Sequence, residues 1–318
     1  MDKIAVRGGR RLTGEIPISG AKNAALPLMV ASLLTEEPLR LTHVPRLADI
    51  AQLGEILSVL GVTAGPEGTK AGPDDKGALT LTAREIKDTT APYDLVRKMR
   101  ASFFALGPLL ARAHQAKVSL PGGCAIGPRP VDFHLKGLEA LGASIELDQG
   151  YVIAAAPKGL KGARFLFPQV SVGATENVMM AASLAKGETI LENAAQEPEI
   201  VDLATCLIAM GAVIEGHGTP TIRIQGKDRL HGATHRVLPD RIETGTYAFA
   251  VAAAGGDVEL KGARLDLIGS LVPILKDMGV DIRASENGVH VKRNGAHLHG
   301  VDVRTEPYPG FPTDMQAQ

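Results

Sequence analysis

The chain contains no tryptophan, and seven Phe and four Tyr bring the aromatics to only 3% of its 318 residues. Its cores must therefore be filled by Leu, Ile, Val and Ala. There are only two cysteines, too few for a disulfide framework in a chain of this length. No run of 18 uncharged apolar residues occurs, which excludes a membrane-spanning helix. The N-terminus, MDKIAVRGGRRLTGEI, has no apolar signal core, so a soluble cytoplasmic protein is expected. The net charge of −1 leaves no basic excess for nucleic acid or an anionic membrane surface. No His, Cys and Asp spacing points to a metal site.

What is present is periodic. A hydrophobic fraction of 45% over 318 residues allows sizeable cores and predicts about two domains. Four times an apolar, helix-like segment ends in Leu-Gly or Met-Gly and runs into a short β-branched stretch. The glycines are Gly61, Gly142, Gly211 and Gly279, spaced by 81, 69 and 68 residues. Each fits the left-handed position that ends a helix. A second motif, a Gly- and Ala-rich helix followed by a short strand, recurs from Ile18, Val170 and Arg241.

The repeating unit is therefore strand, helix, strand, helix, strand, strand, starting near residues 20, 90, 165 and 240. One unit is too small for its own core, so several must pack around a shared centre, with the small-residue helices innermost. Gly65 to Gly77 reads as a solvated insertion, Ala91 to Arg112 as one helix, and Arg229 to Arg241 as the domain boundary. A fifth unit starts at Val301, and the chain stops at Gln318, which predicts an incomplete second domain.

The chemistry centres on SLPGGCAIGPRPVDFH, Ser119 to His134. A strand runs into Pro121-Gly122-Gly123, where regular structure cannot continue, and Cys124 follows at the tip. Arg129, five residues on, favours the thiolate. This stretch reads as a reactive lid. Cys206, on a helix of apolar spacing, reads as a core residue.

Lys22 and Asn23 open the first helix, where exposed N–H groups and the helix dipole favour an anion. Arg97, Lys98 and Arg100 cluster together, and Arg100 is the most interesting because small residues and an apolar run follow it. Asp314, Asp240 and Glu243 sit near turns, where a structural ion pair or an N-cap is the ordinary role. His134 reads as a satisfied polar residue.

Taken together, SGAKNAALP, APYDLVRKMRAS, LPGGCAIGPRPVDFH, SVGAT, ENAAQEPEIVD, VLPDRIETGT and FPTDMQAQ resemble the UDP-N-acetylglucosamine enolpyruvyl transferases over the whole chain. The resemblance implies an α/β (α+β) fold of two domains built from βαβαββ units, with the active site in the cleft between them. Residues 20–238 would form the first domain. Residues 239–318, with 1–19 as an N-terminal strand, would form the incomplete second.

The implied reaction, in bacterial peptidoglycan synthesis, transfers the enolpyruvyl group of phosphoenolpyruvate to the 3′-hydroxyl of UDP-N-acetylglucosamine and releases phosphate. No cofactor is implied, and a monomer is expected. Cys124 matches the thiol that adds to phosphoenolpyruvate, protonates its methylene carbon and is alkylated by fosfomycin. Lys22 and Arg129 match the cations that hold phosphoenolpyruvate. Asn23, Arg100, Pro130, Val131, Asp132, Phe133, His134, Val170, Ser171, Val172 and Gly173 match contacts to the nucleotide sugar. Asp314 matches the base for the sugar hydroxyl.

Gln169 and Gln196 stand where basic residues are common in the family, which weakens the expected phosphate contacts. Two other readings are an inactive nucleotide-sugar-binding fragment and an enolpyruvyl-shikimate-phosphate synthase relative. The loop cysteine argues against the latter.

Overall fold

The computed structural model describes residues 3–65, 77–91, 93, 100–120, 131–295 and 297–318, with the backbone alone at 100–102. Most of the insertion expected between Gly65 and Gly77 lies outside the described residues. Two compact units emerge, Lys22–Leu238 and Met1–Ala21 with Pro239–Gln318.

In chain order, β1 (Leu12–Pro17) precedes α1 (Lys22–Ala31), β2 (Leu39–Thr42), α2 (Ala48–Val59), β3 (Thr63–Ala64) and β4 (Leu79–Thr82). Next come β5 (Thr90–Ala91), a 3-10 segment (Arg100–Ala105), α3 (Leu106–Ala113), β6 (Gln115–Ser119), α4 (Asp132–Ala140), β7 (Ser144–Asp148) and β8 (Tyr151–Ala155). A further round gives β9 (Arg164–Leu166), α5 (Val172–Ala182), β10 (Glu188–Glu192), α6 (Pro198–Ala209), β11 (Val213–Glu215) and β12 (Thr221–Gln225). The last stretch holds β13 (Ala233–Arg236), α7 (Arg241–Ala254), β14 (Gly256–Lys261), α8 (Leu271–Asp277), β15 (Asp281–Ala284) and β16 (Gly288–Arg293).

These strands form four four-stranded sheets of one design. In each, the second strand pairs parallel with the first and antiparallel with the fourth, and the third lies at the edge. Two sheets are continuous in sequence, β5-β6-β8-β7 and β9-β10-β12-β11. In the other two the first strand comes from far away. β13 lies parallel to β2, and β1 lies parallel to β14. The segment Arg229 to Arg241, which breaks the repeat in sequence, thus contains the strand that completes the first sheet. His235 holds it, with Nε2 3.0 Å from the Asp202 carboxylate of α6.

The strands alternate as half-buried strands must: Thr189 and Leu191 of β10 point inward with Ile222 and Ile224 of β12. In the Lys22–Leu238 unit one helix of each repeat is buried over most of its surface. Ala24 to Ala31 of α1 and Ala174 to Ala182 of α5 are all buried, as are Leu106 to Ala111 of α3. A helix apolar on every side must lie inside its domain, and α3 and α4 both pack on α5. In the other unit α7 buries Thr244, Gly245, Ala248, Val251 and Ala252 over a core that includes Val258, Leu260, Phe311 and Met315.

The helix ends follow the glycines. Gly61, Gly142, Gly211 and Gly279 have φ of +106°, +93°, +100° and +91°. In each case the next N–H reaches back five residues: Val62 to Leu57, Ala143 to Leu138, Ala212 to Leu207 and Val280 to Leu275, at 2.9–3.1 Å. This is the Schellman closure.

Ala91 to Arg112 is not a single helix. Thr90–Ala91 is a strand beside β6, and the described remainder is the 3-10 segment followed by α3. The Asn177 side chain bonds to the backbone on both sides of the junction between them. Gly107 N–H donates to Asn177 Oδ1 at 2.8 Å, and Asn177 Nδ2 donates to Phe103 O at 3.2 Å. Pro108 has no N–H to donate. An inserted side chain is a recognised cause of a helix break.

The glycine ends also permit a stability test. Gly61→Ala and Gly142→Ala impose the same left-handed strain, about 1–2 kcal/mol. A Cβ at Gly61 would stand 2.6 Å from Glu85 O, whereas one at Gly142 meets nothing within 4 Å. Gly61→Ala should therefore lower the thermal midpoint clearly more than Gly142→Ala, and equal shifts would contradict the close backbone approach.

Candidate active-site residues

Cys124, Arg129 and Pro130, with Arg97 and Lys98, lie outside the described residues. Arg100 opens the 3-10 segment, which packs against α1, α2 and α5.

Lys22 and Asn23 begin α1, both partly buried. Lys22 Nζ lies 3.1 Å from Asp49 Oδ2 in the first turn of α2, with both side chains about two-fifths exposed. An exposed pair of this kind contributes roughly 0–1 kcal/mol, so it holds the ammonium near the helix start without committing it. Pro27 has no N–H, which releases the Asn23 carbonyl from the helical ladder.

Val131, Asp132, Phe133 and His134 form the start of α4, and Val170, Ser171, Val172 and Gly173 the start of α5. Ser171 caps α5, its Oγ accepting from Ala174 N–H at 3.4 Å, while Thr175 Oγ1 donates to Ser171 O at 2.8 Å. These two helix starts meet at His134, which is buried at 3% exposure. Its ring stands edge-on to Phe103, with centroids 5.2 Å apart. A Cβ at Gly173 would come 3.0 Å from Phe104 Cε1 and 3.5 Å from His134 Nε2, so glycine keeps this space open. His134 Nδ1 lies 3.0 Å from Asn177 Nδ2. Of the departures from the family pattern, Gln169 is exposed, and Gln196 donates its backbone N–H to Glu197 Oε2 at 3.0 Å.

Asp314 lies in a short 3-10 turn of the other unit and is half-exposed. Its Oδ2 is 3.9 Å from Arg241 Nη2, and that guanidinium is buried at the start of α7. Asp240 caps the helix, accepting from Ile242 and Glu243 N–H at 2.8 and 3.0 Å. The N-cap role expected for an acid here falls to Asp240.

Cys206 is a core residue. Burial, and then the Asp202 carboxylate, push its thiol up to about 12, which makes it unreactive.

Two functional-looking residues escaped sequence reasoning, Asn177 and Glu176. The available signal was a Glu-Asn pair inside the otherwise apolar helix GATENVMMAA. Glu176 is buried, and among the described residues its Oε1 has no hydrogen-bond partner. Desolvation, reinforced by Glu199 and Glu197, raises its carboxyl well above the usual carboxylate range.

This arrangement of sheets is that of the enolpyruvyl transferases. The family model described as EPSP synthase (3-phosphoshikimate 1-carboxyvinyltransferase) matches residues 6–318. The UDP-N-acetylglucosamine 1-carboxyvinyltransferase of Rhodospirillum centenum is 64% identical over the whole chain, which spans 74% of that protein. Its counterpart from Xanthobacter autotrophicus is 63% identical, again over the whole chain and 75% of that protein. Among solved structures, the enolpyruvyl transferase NikO from Streptomyces tendae superposes with a TM-score of 0.80 at 23% identity. That match covers 97% of this chain and 72% of NikO. An EPSP synthase from Acinetobacter baumannii gives 0.70 at 19% identity, over 92% of this chain and 68% of that one. The chain belongs to the UDP-N-acetylglucosamine 1-carboxyvinyltransferase family, a family of transferases.

Glu176 makes a pH prediction. A carboxyl whose folded pKa lies above its unfolded value, here 4.5, stabilises the fold fully below the unfolded pKa. That contribution is lost as pH rises through the folded pKa. The thermal midpoint of Glu176→Gln relative to the parent should therefore climb as pH increases above 4.5, whatever the constant offset between them. Parallel pH curves would contradict the neutral buried carboxyl.

Proposed function

We propose that this protein transfers the enolpyruvyl group of phosphoenolpyruvate to the 3′-hydroxyl of UDP-N-acetylglucosamine, releasing phosphate. It would act in the bacterial cytoplasm as a monomer, at the first committed step of peptidoglycan synthesis. The observation that carries this reading is the 64% identity over the full chain to a named UDP-N-acetylglucosamine 1-carboxyvinyltransferase. The likeness to an EPSP synthase, by contrast, is one of fold, at 19% identity.

In this reading Lys22 and Arg129 hold the phosphate and carboxylate of phosphoenolpyruvate. Asn23, Arg100, Pro130 to His134 and Val170 to Gly173 receive the nucleotide sugar. Asp314 takes the proton of the 3′-hydroxyl as its oxygen bonds to C2, while the Cys124 thiol delivers a proton to the methylene carbon. The resulting tetrahedral intermediate retains the negative charge of phosphate and carboxylate, which the cations stabilise. Loss of a proton from the new methyl group and cleavage of the C2–O bond to phosphate restore the enol ether. The ammonium of Lys22 at the start of α1 supports the anion-binding part of this scheme, because helix N-termini attract negative charge.

The test is phosphate release from phosphoenolpyruvate that depends on UDP-N-acetylglucosamine. Cys124→Ala should lower the rate about 10²–10⁴-fold, the range for losing a general acid, with UDP-N-acetylglucosamine binding retained. Undiminished turnover in the variant would overturn the role of the thiol. Failure of the parent chain to bind the nucleotide sugar would overturn the substrate assignment.

A further inference from the structure

We infer that Asn177 is a positioning residue that fixes the tautomer of His134, placing the proton of the neutral imidazole on Nε2. The backbone partners of Asn177 decide how its amide is turned. Gly107 N–H can only donate, so the Asn177 atom 2.8 Å from it must be the amide oxygen. Phe103 C=O can only accept, so the atom 3.2 Å from it must be the amide nitrogen. Two backbone groups on opposite sides thus orient the amide without reference to the histidine.

The nitrogen carries two hydrogens. One serves Phe103 O, and the other points at His134 Nδ1, 3.0 Å away. Facing a donor, Nδ1 must accept, and the proton of the neutral ring then resides on Nε2. The whole assembly is sealed: Asn177 is fully buried, Phe103 is 1% and His134 3% exposed. Alternatives are sterically closed as well. A Cβ at Gly107 would collide with the Asn177 oxygen, so the contact requires glycine there.

The tautomer determines what His134 can do at the start of α5. Its Nε2, which carries the proton, lies near the start of α5, 3.5 Å from where a Cβ at Gly173 would stand. A substrate group met there must be an acceptor, such as a phosphate or carbonyl oxygen. This last step rests on the proposed nucleotide-sugar substrate, whereas the tautomer does not.

The experiment is ¹⁵N spectroscopy of the full chain with labelled histidine, at a pH where free imidazole is neutral. His134→Gln assigns the signal among the nine histidines. The expected spectrum of the parent has a protonated Nε2 and an unprotonated Nδ1. A protonated Nδ1 would overturn the inference, and this measurement needs no Asn177 variant to fold.

Asn177→Asp, at a pH where its carboxyl is ionised and can only accept, should move the proton to Nδ1 in whatever folded fraction remains. It should also raise KM for UDP-N-acetylglucosamine about tenfold, the loss of roughly one hydrogen bond, with a smaller change in kcat. An unchanged tautomer in folded Asn177→Asp would count against Asn177 as its cause. If the parent shows the Nε2–H form but UDP-N-acetylglucosamine leaves the His134 signals unmoved, the substrate contact fails and the tautomer assignment stands.

Discussion

The side-chain amide of Asn177 joins two backbone groups four residues apart, and the local architecture depends on it. The amide accepts from Gly107 N–H, donates to Phe103 C=O and directs its remaining hydrogen to His134. Leaving a buried group without such a partner costs about 1–3 kcal/mol. One residue of α5 thereby registers three segments: the 3-10 turn that begins with Arg100, the α4 turn that carries His134, and its own helix, with Gly173 in its first turn. Small shifts in any of them must be shared by the others, because none of the three bonds has a solvent alternative.

The adjacent residue shows the opposite solution to the same problem. Glu176 lies on the same buried helix, but among the described residues its Oε1 has no partner, and the charges that act on it are those of Glu199 and Glu197. Desolvation and like charge act in the same direction, and both favour the protonated carboxyl. Asn177 meets burial with hydrogen bonds, and Glu176 meets it with a raised pKa. The exposed Lys22–Asp49 pair needs neither, and its ammonium is correspondingly easy to redirect.

The repeat was legible because its signals are local. A Leu-Gly or Met-Gly pair at a helix end specifies a left-handed residue, and Gly61, Gly142, Gly211 and Gly279 adopt it. Cys206 was legible as core from its helical spacing. That residues 1–19 belong with the second unit came from the family resemblance alone, and that β13 completes the first sheet was not legible, since β13 and β2 are joined across roughly 200 residues and alternate like any other strands. The break in the helix expected from Ala91 to Arg112 was hidden for a related reason. Gly107 and Pro108 hint at it, but the residue that accepts from Gly107 N–H is 70 positions away. The Arg241–Asp314 pair likewise joins groups whose separation in sequence gives no warning.

The distribution of acids over the helix starts follows the division between inner and outer helices in the Lys22–Leu238 unit. The outer helices α2, α4 and α6 carry Asp49, Asp132 and Glu199 in their first turns, whereas the inner α1, α3 and α5 carry none. An acid in the first turn offsets the partial positive charge of a helix N-terminus. The outer helices are therefore compensated by their own sequences, whereas the first turns of the inner ones carry no acid of their own. On α1 the ammonium adds to the partial charge of the helix start, and on α5 an Nε2–H donor of His134 would do so without adding a formal one. Under the proposed function, the ammonium of Lys22 would suit a compact, multiply charged anion such as phosphoenolpyruvate. The proposed Nε2–H of His134 would suit an oxygen that has to be oriented more than attracted, as in a large substrate held at many points.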